Sequence, residues 1–229
     1  MKKILLLILL PILAFAESTV SYVTFNDVYD KNLAQDAITR NEHPGFYFDF
    51  LVLHCLIRKY SPTSCFEIGT CDGSGTQVIK NAIREGTVYS LELAPEQQRE
   101  YRLTKERIGS ACRLPYIQLF GDSLSYNYAQ NYPIDSWFID GAHDYRHVSY
   151  ESKQALKSRP KLIVWHDTDI PDVFNAIVDV FKDNKEYKLI RVSDTRVTYA
   201  ISKIVVPGTT IFKKAAMHQA NGAGVKEDK

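Results

Sequence analysis

Residues 65–76, CFEIGTCDGSGT, decide how the rest of the chain is read. A short apolar run passes through Glu67 and Ile68, and Gly69, Gly73 and Gly75 follow at once. A strand that breaks into such a turn before a helix brings backbone N–H groups and a helix N-terminus up to a ligand, because glycine permits both positive φ and close approach. The loop is therefore expected to hold a nucleotide-like group. Spacing excludes the two common phosphate loops. A dinucleotide fingerprint needs G-x-G-x-x-G, but Cys71 takes the second place if Gly69 is the first, and Val78 the third if Gly73 is. A P-loop needs Gly-Lys-Ser/Thr, and Gly75 is followed by Thr76 and Gln77. Glu67 and Asp72 add negative charge, which suits a cationic or hydroxyl-rich ligand better than a pyrophosphate.

Outward from this loop, short β-like runs alternate with amphipathic stretches. Strands are expected over Cys65–Ile68, Val88–Leu93, Ile117–Phe120, Ser136–Ile139 and Leu162–Trp165, and helices over Thr76–Glu85, Pro95–Ile108, Ser123–Gln130, Tyr145–Ser158 and Pro171–Asn184. This alternation predicts an α/β fold, a Rossmann-like three-layer sandwich with helices on both faces of a parallel sheet. Tyr187–Val192 and Val197–Ile201 have too few residues between them for a crossover helix, so they are expected as an antiparallel hairpin at the sheet's end. The sheet is thus seven-stranded and mostly parallel. Upstream, a helix is expected over Asn26–Ile38 and another over Phe46–Tyr60, ended by Pro62. The organisation follows: an N-terminal helical cap over 17–60, a core over 61–206 and a flexible tail over 207–229.

Residues 1–16, MKKILLLILLPILAFA, have the charge, apolar run and A-x-A site of a secretory signal, with an uncleaved anchor as the alternative. A cleaved chain would be exported, periplasmic or secreted, with no stable membrane span; an uncleaved one would be tethered to the inner membrane or cytoplasmic. A formal net charge of +1 with scattered Lys and Arg gives no footprint for nucleic acid. Cys55, Cys65, Cys71 and Cys112 match no Cys-x-x-Cys spacing, and read as buried thiols or a disulfide framework.

In a sheet of this kind ligands bind beyond the carboxyl ends of the strands. The Gly69–Gly75 loop, with Thr70 and Asp72, is the first such place. Glu92 is the second, at the spacing where an acid accepts from ribose hydroxyls, or else it is an ordinary strand-end acid. Asp122 and Ser123 are the third; either adenine contact or helix capping suits them. The fourth is a pair of clusters, Asp140-Gly141-Ala142-His143-Asp144 and His166-Asp167-Thr168-Asp169, which should face each other. Asp140, His166 and Asp167 offer donors for one divalent ion, although loop Asp and His also form caps and turns. His143 is a candidate general base, or a residue that orients the loop. Tyr145 and His147 fall on the following helix and read as packing or rim residues.

Taken together, FEIGTCDGSGT, VYSLEL, FGDS, SWFIDGAHDY and LIVWHDT, in order across 66–168, resemble the class I S-adenosylmethionine-dependent methyltransferases. The resemblance is to the small bacterial branch that includes macrocin O-methyltransferase-like and cephalosporin hydroxylase-like proteins. It implies that Glu67, Gly69, Gly73 and Gly75 line the methionine part of the cofactor. It further implies Glu92 on the ribose, Asp122 and Ser123 near adenine, and Asp140 at the methyl-transfer centre, with Asp140, His166 and Asp167 binding magnesium. His166 departs from the acid more usual in metal-dependent relatives, and His143 stands where catechol O-methyltransferase-like relatives carry a lysine base. The expected activity is methylation of a hydroxyl on a small molecule, with a homodimer as a compatible assembly. Two other readings stay open: an exported, non-catalytic binding protein on the same fold, and an oxidoreductase with His166 and Asp167 as iron ligands.

Overall fold

The computed structural model describes residues 20–37, 44–98 and 103–204. The expected signal and tail, 1–16 and 207–229, lie outside the described residues. Eight strands form one sheet: β1 (Val20–Val23), β2 (Ser64–Ile68), β3 (Thr87–Glu92), β4 (Ile117–Phe120), β5 (Ser136–Ile139), β6 (Leu162–Trp165), β7 (Tyr187–Val192) and β8 (Thr198–Ser202). Their order is β1-β7-β8-β6-β5-β2-β3-β4. All neighbours are parallel except that β8 runs against both β6 and β7.

Five helices accompany the sheet among the described residues: α1 (Phe25–Val28), α2 (Tyr47–Tyr60), α3 (Ser74–Ile83), α4 (Tyr145–Lys157) and α5 (Pro171–Phe181). On one face, Val52, Leu56 and Ile57 of α2 and Val78, Ile79 and Ala82 of α3 cover Cys65, Phe138, Val164 and Val192. On the other, Val148 and Ala155 of α4 and Val173, Ala176, Ile177 and Phe181 of α5 cover Phe66, Trp137, Ile163 and Trp165. The spacing of the four α5 residues is the helical stripe that a core-facing helix needs, and Pro171 opens that helix where its missing N–H costs nothing. β5 and β6 are buried on both faces, which is why SWFI and LIVW read as continuous runs rather than alternating ones.

Three expectations are corrected. The sheet gains an eighth strand, because Val20–Val23 pairs in parallel with Leu189–Val192 outside the hairpin, within the segment expected as helical cap. The helix expected from Asn26 is instead the single turn α1 and a 3-10 turn over Leu33–Asp36. No α-helix forms in the described parts of Pro95–Ile108 or over Ser123–Gln130. Near Pro95 a side chain takes up backbone groups a helix would use, whereas Asp122 makes a cap-like turn that no helix continues. Gln98 donates to the Leu93 carbonyl and accepts from the Leu103 N–H, and Asp122 Oδ1 accepts from the Leu124 N–H. The hairpin is present, but β8 is inserted between β6 and β7, so β7 keeps the direction of the parallel strands.

Candidate functional site

The chain moves outward from β2 to β3 and β4, then returns to place β5 on the other side of β2. The carboxyl ends of β2 and β5 are therefore the switch point where such sheets open a crevice. Backbone bonds continue one step past each strand: Gly69 N–H donates to Leu91, Asp140 to Ile68, His166 to Ile139 and Gly121 to Glu92. This stair sets the four loops singled out above side by side along one edge of the sheet.

Gly69 stands at the point of closest approach. Its φ is +94°, and a Cβ there would lie 2.1 Å from the carbonyl oxygen of Asp140. The glycine is demanded by the meeting of two protein loops before any ligand is considered. Gly75 has another reason: a Cβ would press 2.8 Å from Glu67 Oε1.

Glu67 is fully buried beneath α3. Its Oε2 accepts from the hydroxyls of Thr76 and Ser90, while Oε1 has no hydrogen-bond partner. Burial raises its pKa to about 8, against those two hydrogen bonds. The folded state thus holds a proton between about pH 4.5 and 8 that the unfolded chain releases, so stability falls as pH rises through that window. Glu67→Gln is expected to remove that decline and to be more stable than the wild type at pH 8.5, by more than about 1 kcal/mol. Urea melts of the ligand-free protein at pH 6 and 8.5 check this; a variant less stable at the higher pH contradicts it.

Thr70 turns inward, its hydroxyl 2.6 Å from that of Ser90 and accepting from Gln118, so this side chain is spent inside the fold. Asp72 accepts from the Ser74 N–H at the start of α3. Glu92 accepts from the N–H groups of Cys71 and Leu93, bracing the Gly-rich turn, and burial raises its pKa. Asp122 forms its short turn next along the edge, and the Ser123 carbonyl accepts from Tyr128. All four cysteines are free; Cys55 and Cys65 are buried, whereas Cys71 is exposed and Cys112 half-buried.

The two acid and histidine clusters do meet. His166 Nδ1 lies 3.2 Å from Asp140 Oδ1 and 3.3 Å from Asp167 Oδ1. His143 Nε2 lies 3.1 Å from Asp167 Oδ2 and 3.6 Å from Asp140 Oδ1. Asp167 holds a φ of +49°, a left-handed conformation that costs about 1–2 kcal/mol outside glycine, as is common where a site over-determines its backbone. Burial opposes a charge on His166, but Asp140, Asp167 and Asp49 overcome it and raise its pKa to about 12. Asp140 likewise raises His143 against burial, with Asp167 adding to it. One donor atom each from Asp140, His166 and Asp167 lies within 4.8 Å of the others, and two carboxylates with an imidazole fit one divalent ion.

The structure also adds residues that the sequence reading left out. Asp49 of α2 is buried against His166, and Arg196 reaches Asp167 from the β7–β8 turn while its guanidinium lies 5.1 Å from the Phe46 ring centre. Asp49 had a legible signal, since it falls in line with Leu53 and Leu56 on the apolar stripe of its helix. Glu151 of α4 is buried with both oxygens unpartnered, and burial raises its pKa to about 7. Asp144 caps α4, accepting from Arg146 and His147, and Tyr145 donates to Asp179 of α5, so these residues hold helices in place. No helix among the described residues is long and apolar enough to cross a membrane.

Residues 66–168 match the family model described as a methyltransferase domain, the same span as the motifs. The O-methyltransferase from Bacillus cereus in complex with SAH is 19% identical, covers 83% of this chain and 94% of its own, and superposes with a TM-score of 0.51. The SAH-bound methyltransferase of Podospora anserina is 12% identical, covers 69% of this chain and 79% of its own, and has a TM-score of 0.53. At such identities these neighbours show the fold. No curated protein matches the sequence. Sheet order and crevice define a class I methyltransferase fold. The match over 66–168 makes that segment similar to the methyltransferase domains that the family model describes.

Proposed function

We propose that this protein binds S-adenosylmethionine along the edge formed by the ends of β2, β3 and β4, and methylates a hydroxyl of a small molecule held at Asp140 and His143. The observation that carries this is the backbone stair, which sets the Gly-rich turn, Glu92, Asp122 and the Asp140 cluster at one level. In this reading the methionine part lies along the Gly-rich turn, which Glu67 underlies from its buried place beneath α3.

Glu92 accepts from the ribose hydroxyls, since a carboxylate has lone pairs left after its two backbone bonds. Asp122 offers its second oxygen to the adenine amine, beside Ser123. Asp140 orients the acceptor, and His143 takes the hydroxyl proton at Nε2. When bound, S-adenosylmethionine supplies an electrophilic methyl group in line with the acceptor oxygen. Asp140, His166 and Asp167 would hold a divalent ion, magnesium or another, whose Lewis acidity favours the acceptor alkoxide. Phe46 and Phe50, packed against the His166 imidazole, support a cap role for the segment ahead of β2, because they exclude water from that side of the cluster. Positioning and electrostatics supply most of the rate in this scheme.

Calorimetric titration of the full chain with S-adenosylmethionine and SAH tests the reading: heat with neither overturns it. Glu92→Ala is expected to weaken SAH binding by about 1–3 kcal/mol, through loss of a hydrogen-bonded acceptor and of the brace on Cys71. An unchanged affinity would show that the ribose lies elsewhere. The two imidazoles in the cluster favour one second reading, oxidation at a bound iron, which predicts iron-dependent oxygen consumption.

A further inference from the structure

Asp49 precedes His166 by 117 positions, and only the folding of α2 over the crevice joins them. The side chains of Asp49 and His166 are 5% and 4% exposed. Both oxygens of Asp49 are engaged: Oδ1 accepts from the Arg196 N–H at 3.0 Å, and Oδ2 lies 3.1 Å from His166 Nε2. A carboxylate can only accept, so Nε2 carries a proton toward Asp49; Nδ1, turned to Asp140 and Asp167, carries one toward them that a bound ion would displace. The rings of Phe46 and Phe50 pack at 5.3 and 6.5 Å from the imidazole and hold that orientation.

The separations from Nδ1 to the two carboxylate oxygens, 3.2 and 3.3 Å, are near the ~3 Å expected between adjacent ligands of a small six-coordinate dication. A carboxylate that holds the far nitrogen of a ligating imidazole fixes its tautomer and raises its basicity. Imidazole is a ligand of manganese, iron, cobalt and zinc, whereas magnesium prefers oxygen.

Resting on the reading that Asp140, His166 and Asp167 hold a divalent ion, we propose that Asp49 is a positioning residue that presents His166 Nδ1 to that ion. The site then takes a first-row transition dication in preference to magnesium.

The test uses the full chain freed of metal by chelation, titrated separately with Mn2+ and Mg2+, with pulsed EPR of the Mn2+ form to detect nitrogen coupling. The wild type is expected to bind Mn2+ at least about tenfold more tightly than Mg2+ and to show coupling from imidazole nitrogen. Asp49→Asn should weaken Mn2+ by about 10–100-fold and diminish the coupling, with SAH affinity unchanged. Wild-type Mn2+ affinity in the variant overturns the positioning role. Equal affinity for the two ions, or a wild-type spectrum without nitrogen coupling, overturns the metal preference whether or not the variant folds. A wild type that binds SAH but neither ion overturns this inference and leaves the methyltransferase reading standing; one that binds no SAH overturns that reading instead.

Discussion

Replacing Asp140 by alanine is expected to lower methyl transfer by about 10³-fold or more while leaving SAH affinity within several-fold. Asp140 stands between the switch point and both imidazoles: its N–H is fixed by Ile68, and its Oδ1 lies beside His166 Nδ1 and His143 Nε2. Without it, the acceptor loses its nearest oriented carboxylate, and an ion would lose one of its three ligands. The adenosine contacts assigned to Glu92 and Asp122 stand on other strands, so cofactor binding should survive. Transfer of labelled methyl groups in a single turnover, paired with SAH calorimetry, checks both halves. An active variant would show that the acceptor is positioned elsewhere.

The largest effect on stability is expected from Gly69→Ala, a loss of about 3–5 kcal/mol, from a left-handed conformation forced on a side chain and a methyl group driven into backbone. The methyl carbon would lie 2.1 Å from the Asp140 carbonyl, and the β2 and β5 loops would have to part to admit it. That loss is a large share of the 5–15 kcal/mol that holds a typical domain folded. Urea denaturation followed by circular dichroism measures it; a midpoint equal to the wild type would mean that the two loops can separate freely. Because Asp140 begins the second of those loops, a folded Gly69→Ala protein should also have a displaced metal and acceptor site.

The parallel core was legible because each buried strand carries its own evidence. WFI and LIVW are uninterrupted apolar runs, and α5 after the second has an apolar stripe at helical spacing. β1 was missed for the opposite reason. It is four residues long, lies at an edge and exposes Tyr22, so its strand character depends on pairing with β7, more than 160 positions away. The helix expected near Pro95 is absent from its described part, where the Gln98 side chain captures backbone groups, a competition that periodicity does not register.

The site divides in the same way. Gly69, Glu92, Asp122, Asp140 and His166 could be found from sequence, because each stands at the end of a recognisable strand, and a parallel sheet brings all such ends to one edge. Asp49 and Arg196 could not be assigned to it, since they come from a helix before the sheet and a turn near its end. Which His166 nitrogen faces the cluster is set by Asp49 together with the packing of Phe46 and Phe50, and the inward turn of Thr70 follows from Ser90 and Gln118. Local pattern determined the class of fold, the edge proposed to bind and the residue types available there. Tertiary structure decided which atoms those residues present, because the orientation of a buried polar group is set by partners distant in the chain, and no local spacing encodes them.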